Sequence, residues 1–337
     1  MVWTAKKQLL EGKYTIEEVI PPNRGITYLA KDQNGVPAVI KTLNDEFRHD
    51  TDFQQLQQDF VTEAGKLAKC HHAHIVRHFE TFLEDDVWCV AMEYVVGIDL
   101  AHRPRGILRE EEALHYIQQI GAGLSVAHEH HLVHQDVKPA NMIIRAGATA
   151  VLINFGLIPN VAQKIRPQTE TGFTAPELYV GTDKIAAYTD IYSLGATLYN
   201  LLTGQIPVSA QEQITHNLSL KPPKELNPLI SDRVSQGILW AMLLDPKRRP
   251  QSVQEWLAEI SDRKSEVLLP ASAASIHKNV SSLIKQPTNI RSLGLSVVVV
   301  LGLLGVMFII FPKQPQSNFT APVASPTTRP FAKPVPH

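Results

Sequence analysis

Cysteine is scarce in this chain. Cys70 and Cys89 are the only two in 337 residues, and they fit neither a disulfide framework nor a metal-type spacing. Two free thiols suit a reducing compartment. Net charge is as scant: 32 basic residues offset all but one of 33 acidic ones, a formal −1. That balance gives no electrostatic case for nucleic acid or for an acidic partner. No secretory leader is expected, because Met1-Val2-Trp3-Thr4-Ala5-Lys6-Lys7 runs straight into mixed polar residues. Apolar residues make up 44% of the chain, enough for one large or two modest cores.

Charge is missing altogether from Leu293–Phe311, a run of 19 residues rich in Val, Leu, Ile and Gly. At 1.5 Å per residue it spans roughly 28 Å, close to the hydrocarbon thickness of a bilayer. A buried core helix is the alternative, but the run follows a finished domain and adjoins a polar linker. A transmembrane helix over 293–311 is the expectation. Gly302 and Gly305 stand three apart, so no G-x-x-x-G pairing motif is present. Lys278, Lys285 and Arg291 precede the run and Lys313 follows it, which weakly places the preceding domain in the cytoplasm. The last 26 residues hold seven prolines and cannot bury a core; 312–337 reads as a disordered tail on the far side, too short for a folded sensor.

The chemistry concentrates in His134-Gln135-Asp136-Val137-Lys138-Pro139-Ala140-Asn141, with Asn154-Phe155-Gly156 beginning thirteen residues after Asn141. The segment lies between a helical pattern, 111–129, and two short apolar runs, Met142–Ile144 and Ala150–Ile153. Asp136, Lys138 and Asn141 suit a place where a phosphoryl group moves. A carboxylate orients the attacking hydroxyl, an ammonium neutralises the transferring phosphate, and an amide oxygen ligates magnesium. Taken alone, the octapeptide also reads as a polar turn between a helix and a hairpin.

This stretch resembles the catalytic loop of the protein kinase family, H-R-D-x-x-x-x-N followed by D-F-G, and Lys138 is similar to the serine/threonine branch. The resemblance covers roughly residues 14–260 with its landmarks in order. It implies an α+β, bilobal protein kinase fold, with a small β-rich N-lobe and a larger helical C-lobe. A juxtamembrane linker, 262–291, then leads to the one transmembrane helix. Small-molecule phosphotransferases share the catalytic-loop spacing but lack Ala175-Pro176-Glu177 and the Asp190 segment. On the resemblance, Asp136 and Lys138 are catalytic, and Asn141 and Asn154 occupy the metal positions. Lys41, in Ala38-Val39-Ile40-Lys41, holds phosphates and pairs with Glu63 of an amphipathic run; taken alone, a lysine ending an apolar strand is usually just a solvated end. Met92 backs the adenine pocket, and backbone groups around Glu93 and Val95 meet the base. The family's three loop glycines fall at Ile20, Pro22 and Gly25, so only Gly25 survives, and Pro21-Pro22 stiffens the loop and removes two N–H donors. Asp190 is implied to brace the catalytic loop, and Arg249 to pair with Glu177.

Elsewhere the sequence suggests strands at Tyr14–Ile16, Ile26–Ala30, Pro37–Thr42 and Val87–Met92, and a core helix over Glu110–Glu129. His71, His72, His74 and His78 invite a metal site. Yet Ile75-Val76 begin a strand-like run, where an i,i+4 spacing no longer puts two ligands on one face.

Two departures bear on function. Gln135 stands where the family has Arg, the usual receiver of an activation-loop phosphate. The activation segment, Leu157–Thr174, is thus expected to tolerate Thr169→Ala and Thr171→Ala. Asn154 stands where the family has the metal-binding Asp. One full charge at about 4 Å and an effective dielectric near 20 corresponds to ~4 kcal/mol before compensation. The expected ligands are ATP, with Mg2+ or Mn2+ held weakly or not at all, and a protein substrate or partner kinase. Two readings stay open: a membrane-anchored pseudokinase, or an active serine/threonine kinase of unusual metal dependence.

Overall fold

Alternation of buried and partly exposed residues marks two central strands in the first half of the chain. In the strand β3 (Ile26–Asp32), Ile26, Tyr28 and Ala30 are buried; in β4 (Pro37–Thr42) it is Ala38, Ile40 and Thr42. The turn between them is set by Asp32, whose Oδ1 accepts from the N–H groups of Asn34 and Val36 at 2.8 Å. Gly35 takes the left-handed conformation that the turn requires, with φ 77°. With β1 (Gln8–Leu9), β2 (Tyr14–Ile20), β5 (His78–Glu84) and β6 (Val87–Glu93) they form one antiparallel sheet in the order β1-β2-β3-β4-β6-β5. The computed structural model describes residues 3–20, 26–43, 52–104, 106–157, 172–180 and 184–261.

The sheet curls until β2 and β5 meet. Tyr14 Oη donates to Glu80 Oε1 at 2.6 Å, Lys13 pairs with the same carboxylate, and the Tyr14 and Phe82 rings stack. The folded body begins ahead of residue 14, where the sequence reading starts the domain. Trp3 and Leu9 are buried, Trp3 Nε1 donates to Asp85 Oδ2 at 2.9 Å, and Leu10 N–H donates to Glu84 Oε2 at 2.8 Å. Inside the curl, Tyr28, Ile40, Cys89 and Ala91 pack with Trp3 and Leu9. On the other face, Val90 and Met92 pack in the cluster that holds Phe60, Ala64 and Leu67 of α1 (Phe53–Leu67). Burial on both faces explains why β6 is a continuous apolar run rather than an alternating one.

The second half is helical. The helix α2 (Glu110–Glu129) turns Ala113, Ile117, Ile120 and Leu124 into the core, the expected 3.6 period. Next to it lies α4 (Ala187–Thr203), whose residues from Thr189 to Tyr199 are all buried; a helix apolar all round is a central one. The short helices α3 (Glu177–Val180), α5 (Ala210–Thr215) and α6 (Pro223–Leu226) and the packing helices α7 (Asp232–Ala241) and α8 (Val253–Ile260) complete this half. A small sheet, β7 (Ile98–Asp99), β8 (Met142–Arg145) and β9 (Thr149–Leu152), sits on α2. One lacing between the two halves is a pair of backbone bonds: Val76 N–H donates to Leu152 O at 3.0 Å and Leu152 N–H to His74 O at 2.9 Å.

Among the described residues no helix is long and apolar enough to cross a membrane. The expected linker (262–291), span (293–311) and tail (312–337) lie outside the described residues, as do Pro21-Pro22, Gly25, Thr169 and Thr171. Cys70 and Cys89 are both free and buried.

Candidate active site

The octapeptide starts just past the end of α2 and is held from beneath by α4. Asp190 is fully buried, and its carboxylate accepts from three donors at 2.8 Å: the N–H groups of His134 and Gln135, and His128 Nε2. Gln135 has φ 65°, a conformation that costs roughly 1–2 kcal/mol for a residue with a Cβ. Two successive N–H groups bridged by one carboxylate hold that strain in place. The imidazole of His134 is fixed in one tautomer. Its Nε2 donates to Ile153 O at 2.8 Å, which leaves Nδ1 to accept from Asp136 N–H at 3.1 Å. Phe155, also buried, lays its ring edge-on to His134 with centroids 4.5 Å apart. Thus one ring aligns the Asp136 backbone and the segment around Asn154 together.

Asp136, Lys138, Asn141 and Asn154 converge as the sequence predicts. A single 3-10 turn, Pro139–Asn141, folds Asn141 back so that its Nδ2 donates to Asp136 O at 2.7 Å and to Asp136 Oδ2 at 3.0 Å. Lys138 Nζ lies 3.7 Å from Asp136 Oδ2, and Asn154 Nδ2 donates to Asn141 Oδ1 at 2.8 Å. Ile153 N–H donates to Asn141 O at 2.9 Å and ties the two asparagine segments together. Asn154 has φ 64°, a region that asparagine enters more readily than most residues. A carboxylate beside an ammonium can orient a hydroxyl for attack on a phosphoryl group, and Asn154 links this cluster to a cleft.

That cleft is a cavity of about 220 Å³ roofed by Ile20, Thr27 and Val39, with Met92, Glu93, Tyr94 and Val95 at its back and Ile143, Ile153 and Asn154 below. Met92, Glu93 and Val95 therefore line it, as expected. The carboxylate of Glu93 is turned toward the Arg145 guanidinium and held there by an ion pair. Gly97 closes the back wall: a Cβ there would lie 2.4 Å from Ile144 O, so the chain just ahead of β7 passes β8 too closely for a side chain at this position. Lys41 sits on β4 opposite Thr27 and Val90. Glu63 lies on the buried face of α1, and its Oε1 accepts from Lys66 Nζ at 2.6 Å, a local pair that the sequence reading missed. An i,i+3 search along α1 from Glu63 would have found it. The lining residues Thr27, Val76 and Ile143 were also missed; they carry no polar signature and come together only through sheet register.

The histidines first weighed as metal ligands have other partners. His74 Nδ1 meets Ala150 O at 2.7 Å, His78 Nε2 meets Thr81 Oγ1 at 2.9 Å, and the His72 ring stacks edge-on to that of His74. Farther down, Arg249 and Glu177 form the expected pair, Nη1–Oε1 at 2.8 Å and Nη2–Oε2 at 3.0 Å.

Known proteins agree with this geometry. The family model described as the protein kinase domain matches residues 23–259. The chain is 29% identical over 265 residues to the serine/threonine-protein kinase PrkC of Bacillus subtilis, covering 74% of this chain and 40% of that protein. It is 30% identical over 261 residues to the serine/threonine-protein kinase PknA of Corynebacterium glutamicum, covering 72% and 54%. The chain thus spans roughly half or less of the length of these relatives. Among solved structures, the PknI kinase domain of Mycobacterium tuberculosis matches with a TM-score of 0.61 at 24% identity, over 77% of this chain and 98% of that one. The apo form of PpkA-294 matches with a TM-score of 0.63 at 23% identity, over 77% and 99%. Sheet order, catalytic-loop geometry and family match agree: the chain belongs to the protein kinase family.

Proposed function

We propose that the chain is a membrane-anchored serine/threonine protein kinase-family signalling protein, a pseudokinase that binds a nucleotide or a partner and transfers phosphate poorly. The observation that carries this reading is the amide at position 154. Asn154 offers no negative charge, and its Nδ2 is bonded to the Asn141 oxygen on which a metal would depend. Magnesium takes near-ideal octahedral oxygen coordination and is usually bound through one or two carboxylates, so this donor set fits it poorly. Asp136 and Lys138 retain a geometry suited to transfer, which favours the active kinase of unusual metal dependence as the second reading.

Transfer of the γ-phosphate of ATP to a basic protein substrate tests the two. Wild type is expected to be silent with Mg2+ or Mn2+, and Asn154→Asp to gain activity that Asp136→Asn removes again. Wild-type transfer abolished by Asp136→Asn would overturn the pseudokinase reading and establish the second. The anchor is proposed from residues 293–311 alone, with the kinase-like domain cytoplasmic and the tail on the far side. Deleting 293–311 should move the protein from the membrane pellet to the supernatant; retention in the pellet would remove the anchor.

A further inference from the structure

The orientation of both amides follows from hydrogen-bond logic. Asn141 Nδ2 lies 2.7 Å from Asp136 O and 3.0 Å from Asp136 Oδ2. A carbonyl and a carboxylate only accept, so the Asn141 atom between them must be its NH2. The other end of that amide, Oδ1, therefore faces Asn154 at 2.8 Å. An oxygen can only accept there, so Asn154 must present Nδ2 to it. Flipping either amide alone would set N–H against N–H or oxygen against oxygen. The amide–amide bond is thus locked by the carboxylate of Asp136 and by the Ile153–Asn141 backbone bond.

A carboxylate at 154 could not make this bond, because oxygen would face oxygen. In this chain, an N–H group of Asn154 engages Asn141 Oδ1, the oxygen a cation would use. Asn154 also lines the cleft, and its NH2 carries a second N–H. The cleft lining thus includes a donor from the same side-chain cluster that holds the Lys138 ammonium, 3.7 Å from Asp136 Oδ2. Donors and ammonium groups recognise bare phosphate oxygens, which a bound divalent ion would partly cover.

From this we infer that the cleft takes its nucleoside polyphosphate as the metal-free anion, with the amide of Asn154 and neighbouring ammonium groups doing what a bridging magnesium does elsewhere. The inference rests on the nucleotide-binding reading above and says which ionic form is bound. Magnesium then acts as a competitor in solution, because it withdraws the free nucleotide.

A fluorescent ATP analogue, titrated against the full chain in detergent, measures this in chelator and again in millimolar Mg2+ or Mn2+. Wild type should bind in chelator, and millimolar metal should weaken the apparent affinity about tenfold or more, because it depletes the free nucleotide. Asn154→Asp should reverse the pattern: about tenfold or more weaker in chelator, from the added negative charge, and strengthened by metal. Asp occupies the left-handed region almost as readily as Asn, and a thermal melt of the unliganded variant checks that it folds. Asn154→Ser, which keeps a donor without the charge, should bind in chelator and be weakened by metal as wild type is. Wild-type binding left unchanged or strengthened by metal would overturn the inference while leaving nucleotide binding intact. No binding in either condition would overturn both. Metal-indifferent binding in Asn154→Asp would remove the role given to Asn154.

Discussion

Replacing Arg249 by Met tests how the helical half is held together. The guanidinium has five N–H donors, and the structure satisfies each. Nε donates to Leu243 O at 2.6 Å, Nη1 to Glu177 Oε1 at 2.8 Å and Tyr188 O at 3.2 Å, and Nη2 to Glu177 Oε2 at 3.0 Å and Leu244 O at 3.1 Å. The group also sits over the Tyr192 ring, 5.0 Å from its centroid. Its side chain is 0% exposed and that of Glu177 is 6% exposed, so water replaces none of these partners. Arg249→Met leaves a buried carboxylate with Thr189 Oγ1 as its remaining side-chain donor at 2.8 Å. Breaking a buried pair from one side costs about 3–5 kcal/mol. At roughly 2–4 °C per kcal/mol for a domain of this size, the melting temperature should fall by about 6–20 °C. Arg249→Lys, with three donors for five acceptors, should lose about 2 kcal/mol or more. The double variant Arg249→Met, Glu177→Leu removes both charges and should melt above Arg249→Met alone. Circular dichroism melts of the four proteins give the comparison. A single variant within about 1 kcal/mol of wild type, or a double variant no better than the single, would refute the reasoning.

Burial raises the thiol of Cys70 to about 11 and that of Cys89 to about 12. A chromogenic disulfide at neutral pH should therefore report both thiols only after denaturant is added; rapid reaction of either in the native protein would contradict their burial. Burial also holds His78 below the usual imidazole value, with the Glu80 carboxylate opposing and His71 reinforcing the shift. The unfolded chain then protonates first, so this contribution is present above about pH 6.5 and is lost as pH falls below it. Between about pH 7 and 5.5 the melting temperature of His78→Gln should fall less than that of wild type, and equal slopes would sink the assignment. Gly97→Ala places a methyl 2.4 Å from Ile144 O and 2.6 Å from Ile143 Cγ2. It should destabilise by roughly 1–3 kcal/mol and weaken nucleotide binding through the shifted wall, and unchanged melting and binding would show the wall to be compliant.

What could be read in the sequence was whatever a residue type and a short spacing determine together. Asp136, Lys138 and Asn141 lie within six residues and come together in space; Asp190, Glu177 and Arg249 belong to segments with their own signatures, and Asp190 braces the loop and Arg249 pairs with Glu177 as expected. What stayed hidden depends on pairing over long separations. β1 is two residues long, and Trp3 finds its hydrogen-bond partner 82 residues away at Asp85, so no local pattern could place the first residues in the sheet. Thr27, Val76 and Ile143 become walls of one cleft only after three chain segments are brought into register. Asn154 falls between these cases. Its identity was plain, and a lost negative charge was the consequence drawn. Charge alone would make the site a weaker version of a metal site, with the same oxygen facing the same place. But an amide differs from a carboxylate in a second way: it donates. With Asn141 anchored by Asp136, that donor meets the Asn141 oxygen, so the atom a metal would use is already engaged by an N–H. The exchange of one oxygen for one NH2 therefore changes the sign of what the position attracts, from a cation to an anion.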